Sequence, residues 1–178
     1  MSNTHKQIGF TIVELLVVIV VIAVLAAVMV VTYSNIQGRA RDSQRLSDMN
    51  AITKALEIYK QQNGDYPAAV GSTGNGGWEV SVPTASNSDF LAVLRTSGVI
   101  SQVPIDPVNT GDMLTTGSKL YAYYRYPAGY LGCDASHGSF YILIARTGDA
   151  STTSSSTRPF TCGTYGASGW WQTGRYAN

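Results

Sequence analysis

The residue whose chemistry stands out first is a carboxylate set inside hydrocarbon. Glu14 lies within Phe10–Tyr33, which reads FTIVELLVVIVVIAVLAAVMVVTY, and no side chain from Leu15 to Val31 is polar. A charged group in the apolar core of a bilayer is costly unless paired, so an acid there marks a function. The run contains no lysine, arginine or histidine to pair with it. The nearest cation the chain can generate is an α-amine on Phe10, made by cutting after Gly9. That amine would belong either to the same chain, four residues away, or to a neighbouring copy. Pairing between copies would set the axial offset of stacked helices, as buried polar groups set register in coiled coils.

The remaining reactive side chains are few. Cys133 and Cys162 are the only cysteines and enclose 28 residues. In an exported domain such a pair points to one disulfide, with two buried free thiols as the alternative. Closing that loop would contribute roughly 3–4 kcal/mol in the chain-entropy account. Beyond Gly9 the only histidine is His137, so a Cys/His metal set is short of members. His137 sits in a Gly/Ser-rich turn with nothing that marks a nucleophile, and an enzyme is not expected. Gly71–Gly77 is glycine-rich but lacks the lysine of a phosphate loop, so it reads as a connector. Twelve basic residues face 11 acidic ones, and Lys6 precedes the cut. A chain so balanced is not a bulk nucleic-acid binder. Trp170, Trp171, Arg175 and Tyr176 have the types that stack on bases or sugars. Aromatic packing at the C-terminus is the reading we prefer for them.

The elements that must position these groups follow from periodicity. Phe10–Tyr33 has the length of a membrane-crossing helix. A polar leader, MSNTHKQIG, comes first and no break ends the apolar run, which inverts the order of a cleaved secretory signal. Ser34–Gln62 continues as a helix with Leu46, Met49, Ile52, Leu56 and Tyr59 as its apolar stripe. Arg39, Arg41, Asp42, Arg45, Asp48, Lys54, Glu57 and Lys60 read as its solvated face. Asn63-Gly64 stops the helix and Pro67 prevents its continuation. One small domain cannot bury so long a helix, so its first half must lie in lipid or against copies of itself. Beyond Gly64 we expect a head. Ser88-Asp89 would cap a short helix through Thr96. Leu120–Tyr126 and Phe140–Ala145 read as the strongest strands, Trp78–Val82 as a weaker one, and Thr147–Thr157 as a loop.

Gly9-Phe10-Thr11-Ile12-Val13-Glu14 followed by a long aliphatic run resembles the class III signal of type IV prepilins. The resemblance implies that a membrane prepilin peptidase cuts between Gly9 and Phe10, that Phe10 is N-methylated, and that Phe10 and Glu14 serve assembly. It implies an α+β, pilin-like fold: a long N-terminal helix, transmembrane in its first half, packed on a small antiparallel sheet of three or four strands. The expected segments are a leader over 1–9, an assembly helix over 10–33, an amphipathic helix over 34–63 and a head over 64–178. The implied function is a structural subunit of a type IV pilus, polymerising with identical or related pilins on a membrane assembly platform. The alternatives are a pseudopilin of a type II secretion-like system, or a minor pilin with an adhesive or DNA-binding head. The precursor would be a single-pass protein of the cytoplasmic membrane, held in lipid before it enters an extracellular pilus or a periplasmic pseudopilus. By the positive-inside rule, Lys6 against Arg39, Arg41 and Arg45 would keep the head in the cytoplasm. The resemblance and the cysteine pair place it outside, and they take precedence. Asn63-Gly64-Asp65-Tyr66-Pro67 and Val103-Pro104-Ile105-Asp106-Pro107 look like the major pseudopilins of type II secretion, whereas the cysteine pair resembles the C-terminal disulfide loop of pilins. Those pseudopilins bind calcium in the head. Asp106, Asp112 and Asp134 are oxygen donors of the right type, although scattered turn aspartates are the reading we prefer.

Overall fold

The computed structural model describes residues 11–71, 76–85, 88–115, 117–146 and 170–177. The fold divides between Gln37 and Gly38 into two units. Helix α1, Ile12–Asn63, contributes to both.

In the first unit, Ile12–Met29 is the one helical stretch among the described residues long and apolar enough to cross a membrane. Its 18 residues rise about 27 Å, close to the thickness of a bilayer's hydrocarbon core. Among the described residues, every position of it is exposed.

In the second unit, α1 is amphipathic because it meets a sheet. Met49, Ile52, Ala55 and Leu56 are buried at spacings of three, three and one, which keeps them on one helix face. Gly64 takes a left-handed φ of 84° and donates its N–H to the Lys60 carbonyl at 2.7 Å, which ends the helix. The antiparallel sheet runs β1 (Glu79–Val80), β2 (Tyr121–Tyr126), β3 (Phe140–Arg146) and β4 (Trp170–Tyr176) in spatial order β1-β2-β3-β4. Tyr121 pairs with Ala145, and Phe140 with both Tyr126 and Tyr176. Period-two alternation then sorts the side chains. Tyr121, Tyr123, Tyr141, Leu143 and Ala145 join the α1 residues in one core. Leu120, Ala122, Tyr126, Phe140, Ile142 and Ile144 form a second core on the other face with Trp78, Val80, Met113 and Cys133. Both faces are therefore buried, unlike a sheet with one face to solvent. The α+β, pilin-like architecture is the one anticipated from sequence.

Several local expectations are corrected. The helical turn after β1 is α2, Ala92–Thr96, and its N-cap is Leu91 rather than Ser88 or Asp89. Leu91 has φ 46° and is fully buried, and the buried Glu79 carboxylate takes its N–H at 2.6 Å. Burial of the leucine side chain and that hydrogen bond outweigh the capping preference of Ser88-Asp89; Asp89 instead pairs with Arg95. The weak strand Trp78–Val82 shortens to Glu79–Val80. Trp170–Tyr176, expected as C-terminal packing, is a full strand paired along β3. Its mid-strand Gly174 pairs with Ile142, which hides the strand from residue-type preferences.

The solvated face of α1 is the largest correction. Asp42, Arg45 and Asp48 are buried, with Arg45 at 0% exposure, whereas Leu46 of the expected stripe is 38% exposed. Arg45 grips Asp106 with Nε to Oδ2 at 2.7 Å and Nη2 to Oδ1 at 3.1 Å, and donates from Nη1 to Asp42 at 2.7 Å. Asp48 accepts from Gln44 at 2.7 Å and from the Tyr121 hydroxyl at 2.8 Å. These carboxylates hold the helix to the Val103–Pro107 segment and to β2.

Candidate assembly and processing site

The described part of the site is built by the start of α1. Thr11 precedes the first helical residue, and Glu14 is the third helical position. The Thr11 N–H donates to Glu14 Oε2 at 2.8 Å, and the Thr11 hydroxyl donates to the same oxygen at 2.7 Å. In return the Glu14 N–H donates to Thr11 Oγ1 at 3.3 Å. This reciprocal arrangement is a capping box, which supplies partners for backbone donors that a helix start leaves unpaired. The same negative charge is favoured by the helix dipole at its N-terminus. Glu14 Oε1 has no hydrogen-bond partner among the described residues. Half of the carboxylate is thus held by its own helix and half is open. Thr11 was not singled out from sequence as a site residue. Its signal was present all the same, as threonine three positions before glutamate at the head of an apolar run.

Gly9 and Phe10, the expected cleavage pair, lie outside the described residues, and so does Cys162. Cys133 is buried in the second core and is not a free thiol.

The three aspartates weighed as calcium ligands are not brought together, and no cluster of three or more candidate ligands occurs among the described residues. Asp106 is fully engaged by Arg45 and the Val108 N–H. Asp112 caps its own turn through the N–H groups of Leu114 and Thr115. Asp134 takes the Ser136 N–H at 2.9 Å, which holds its carboxyl below the usual carboxylate range. These three do not make a calcium site. His137 lies beside Asp134 on the exposed turn, with Nδ1 3.4 Å from Oδ2, and leans on Tyr176. Trp171 packs against the helix-side core and Arg175 lies 3.6 Å from Glu57, so the C-terminal aromatic stretch is strand and core rather than a free stacking platform.

The apolar N-terminal segment is a pattern shared with known proteins. The family described as "Prokaryotic N-terminal methylation motif" matches residues 4–30. The chain is 34% identical to type II secretion system core protein G of Escherichia coli K12, over 72% of this chain and 86% of that protein. The chain belongs to the type II secretion system core protein G family. Its likeness to the core protein G of Vibrio cholerae is 32% over 67% of this chain and 78% of the relative. For Pseudomonas aeruginosa it is 30%, over 65% and 78%. No solved structure matches the chain. Of the branches weighed from sequence, core protein G stands with the pseudopilins of type II secretion, the alternative reading, rather than with the subunits of a type IV pilus. The relatives are named as components of a secretion system and not as enzymes.

Proposed function

We propose that this protein is a pseudopilin, the structural subunit of a type II secretion-like apparatus that drives protein export. The observation that carries the reading is the match across 86% of the E. coli core protein G, which reaches well past the N-terminal motif into the head. The precursor inserts in the inner membrane through Ile12–Met29, is cut between Gly9 and Phe10 by a prepilin peptidase, and is methylated on Phe10. Subunits then leave the lipid and polymerise with copies of themselves or related pseudopilins into a periplasmic filament.

The physical logic lies in what α1 lacks. Its first half exposes Leu16, Val20, Val24 and Leu25 at half their surface or more. Lipid satisfies these residues before assembly, and packed copies of the same helix satisfy them after it. Glu14 supplies the register. Its Oε2 is occupied by Thr11 and its Oε1 has no partner among the described residues, so an incoming Phe10 amine can dock without dismantling the cap. Neutralising that amine selects one axial offset between subunits.

The distinguishing experiment is deletion of the gene in its native host. Loss of exported protein with surface pili retained supports the pseudopilin reading. Loss of pili with export unchanged overturns it and restores the pilus reading. Within this scheme Glu14→Ala leaves the precursor inserted and cleaved but abolishes filament assembly, because it strands the amine at a cost of roughly 3–5 kcal/mol. Normal filament yield from that variant, against an unchanged membrane pool, would remove Glu14 from the assembly contact.

A further inference from the structure

At the end of the head where α1 stops, a cleft of about 480 Å³ opens between the helix exit and the β2–β3 connection. Its polar lining is Asp65, Arg125 and Ser139, and Pro127, Ala128 and Ala177 supply apolar wall. We propose that this cleft binds a carboxylate group of a polypeptide through the free edge of the Arg125 guanidinium. The proposal stands apart from the assembly reading and uses none of its residues.

The guanidinium is anchored at one corner only. Nη1 donates to Asp65 Oδ2 and to the Tyr66 carbonyl, each at 2.9 Å, which uses both of its hydrogens. Asp65 is itself fixed, since its Oδ1 accepts the Tyr66 N–H at 2.7 Å and the Ser139 hydroxyl. Nε and Nη2 have no hydrogen-bond partner among the described residues, and the side chain is 33% exposed. Nε and Nη2 present parallel, coplanar N–H groups, the fork that matches the two oxygens of a carboxylate. A structural role is already met by Nη1, so the remaining donors are preorganised without a partner among the described residues.

Charge narrows the ligand. Asp65 offsets Arg125, so the cleft is close to neutral, and a phosphate dianion would meet the Asp65 carboxylate beside the same guanidinium. A singly charged carboxylate pays less of that repulsion, and its methylenes fit Pro127, Ala128 and Ala177. The volume suits a side chain or a short chain end. An internal glutamate and a C-terminal carboxylate share this chemistry.

The test is an NMR titration of the full processed chain in detergent micelles, following the backbone amides of Ala128, Gly138 and Ser139. The probes are acetate, a glutamate residue capped at both ends, and an acetylated dipeptide with a free C-terminus. Sodium chloride and inorganic phosphate at equal ionic strength serve as references. A saturable shift in the millimolar range is expected with carboxylates and not with the reference salts. Arg125→Gln weakens it about tenfold or more, and Arg125→Lys, which keeps charge but not the fork, weakens it measurably. Arg95→Gln, in α2 and outside the cleft lining, leaves it unchanged. The capped glutamate binding better identifies a side chain as the source, and the free dipeptide identifies a chain end. Linear shifts matched by chloride, or saturation that survives both Arg125 variants, overturn the proposal.

Discussion

Replacing Asp106 by alanine should destabilise the head far more than its place in a Pro-x-Asp-Pro turn suggests. The Arg45 and Asp106 side chains are both 0% exposed. Removing Asp106 leaves a guanidinium in the core that still holds Asp42 at 2.7 Å. A broken buried pair costs about 3–5 kcal/mol, and Asp42, itself only 10% exposed, holds the loss near the lower end. Asp106 also takes the Val108 N–H at 2.9 Å, a further loss of about 1 kcal/mol. The sum, about 4 kcal/mol, is a large share of the 5–15 kcal/mol that holds an ordinary domain together. With a urea m-value of about 2 kcal/mol/M the midpoint falls by about 2 M. Urea unfolding in mild detergent, read by fluorescence of the buried Trp78, measures the shift. The double variant Arg45→Met/Asp106→Leu should lose less than Asp106→Ala, because it removes both charges together. If Asp106→Ala unfolds within about 0.5 M of the parent, the Arg45–Asp106 pair does not lock the helix to the loop.

Intact-mass analysis of assembled protein should find a chain beginning at methylated Phe10; a chain beginning at Met1 would end that expectation. We propose that Cys133 and Cys162 are joined, so non-reducing peptide mapping should recover the cross-linked pair and reduction should cost the head roughly 3–4 kcal/mol; alkylation of both thiols in native protein would rule the bond out. Burial pushes the Tyr66, Tyr121 and Tyr123 hydroxyls well above their ordinary range, and the carboxylates of Glu57 and Asp48 add to this at Tyr66 and Tyr121. Folded protein therefore binds those protons more tightly than unfolded chain. The contribution is whole below the ordinary tyrosine pKa of about 10 and is lost as pH rises above it. Melting temperature should fall steeply from pH 10 upward while these phenols resist ionisation until unfolding; a titration in which all tyrosines ionise together at about pH 10 without unfolding would contradict this.

What sequence alone determined here are the features written in local pattern. The uninterrupted apolar run names a membrane-length helix because backbone polar groups must be satisfied internally in lipid, whatever the rest of the fold does. Met49, Ile52 and Leu56 mark a core face because a helix repeats every 3.6 residues, and the Tyr-rich β2 and the aliphatic and aromatic β3 follow from their residue types. Tertiary structure decided the rest. Arg45 is charged and so reads as surface, yet it is the largest fully buried side chain of α1, because its partner Asp106 lies 61 residues away. Leu46 lost its place in the core to that pair. Trp170–Tyr176 carries a glycine and three polar residues and becomes a strand only because β3 offers an edge to pair with. The free edge of Arg125 likewise exists only because Asp65 and the Tyr66 carbonyl, about 60 positions earlier in the chain, hold the opposite corner. Local periodicity reports what one segment must bury; which charges that burial can accommodate depends on partners that only the folded chain brings within hydrogen-bond reach.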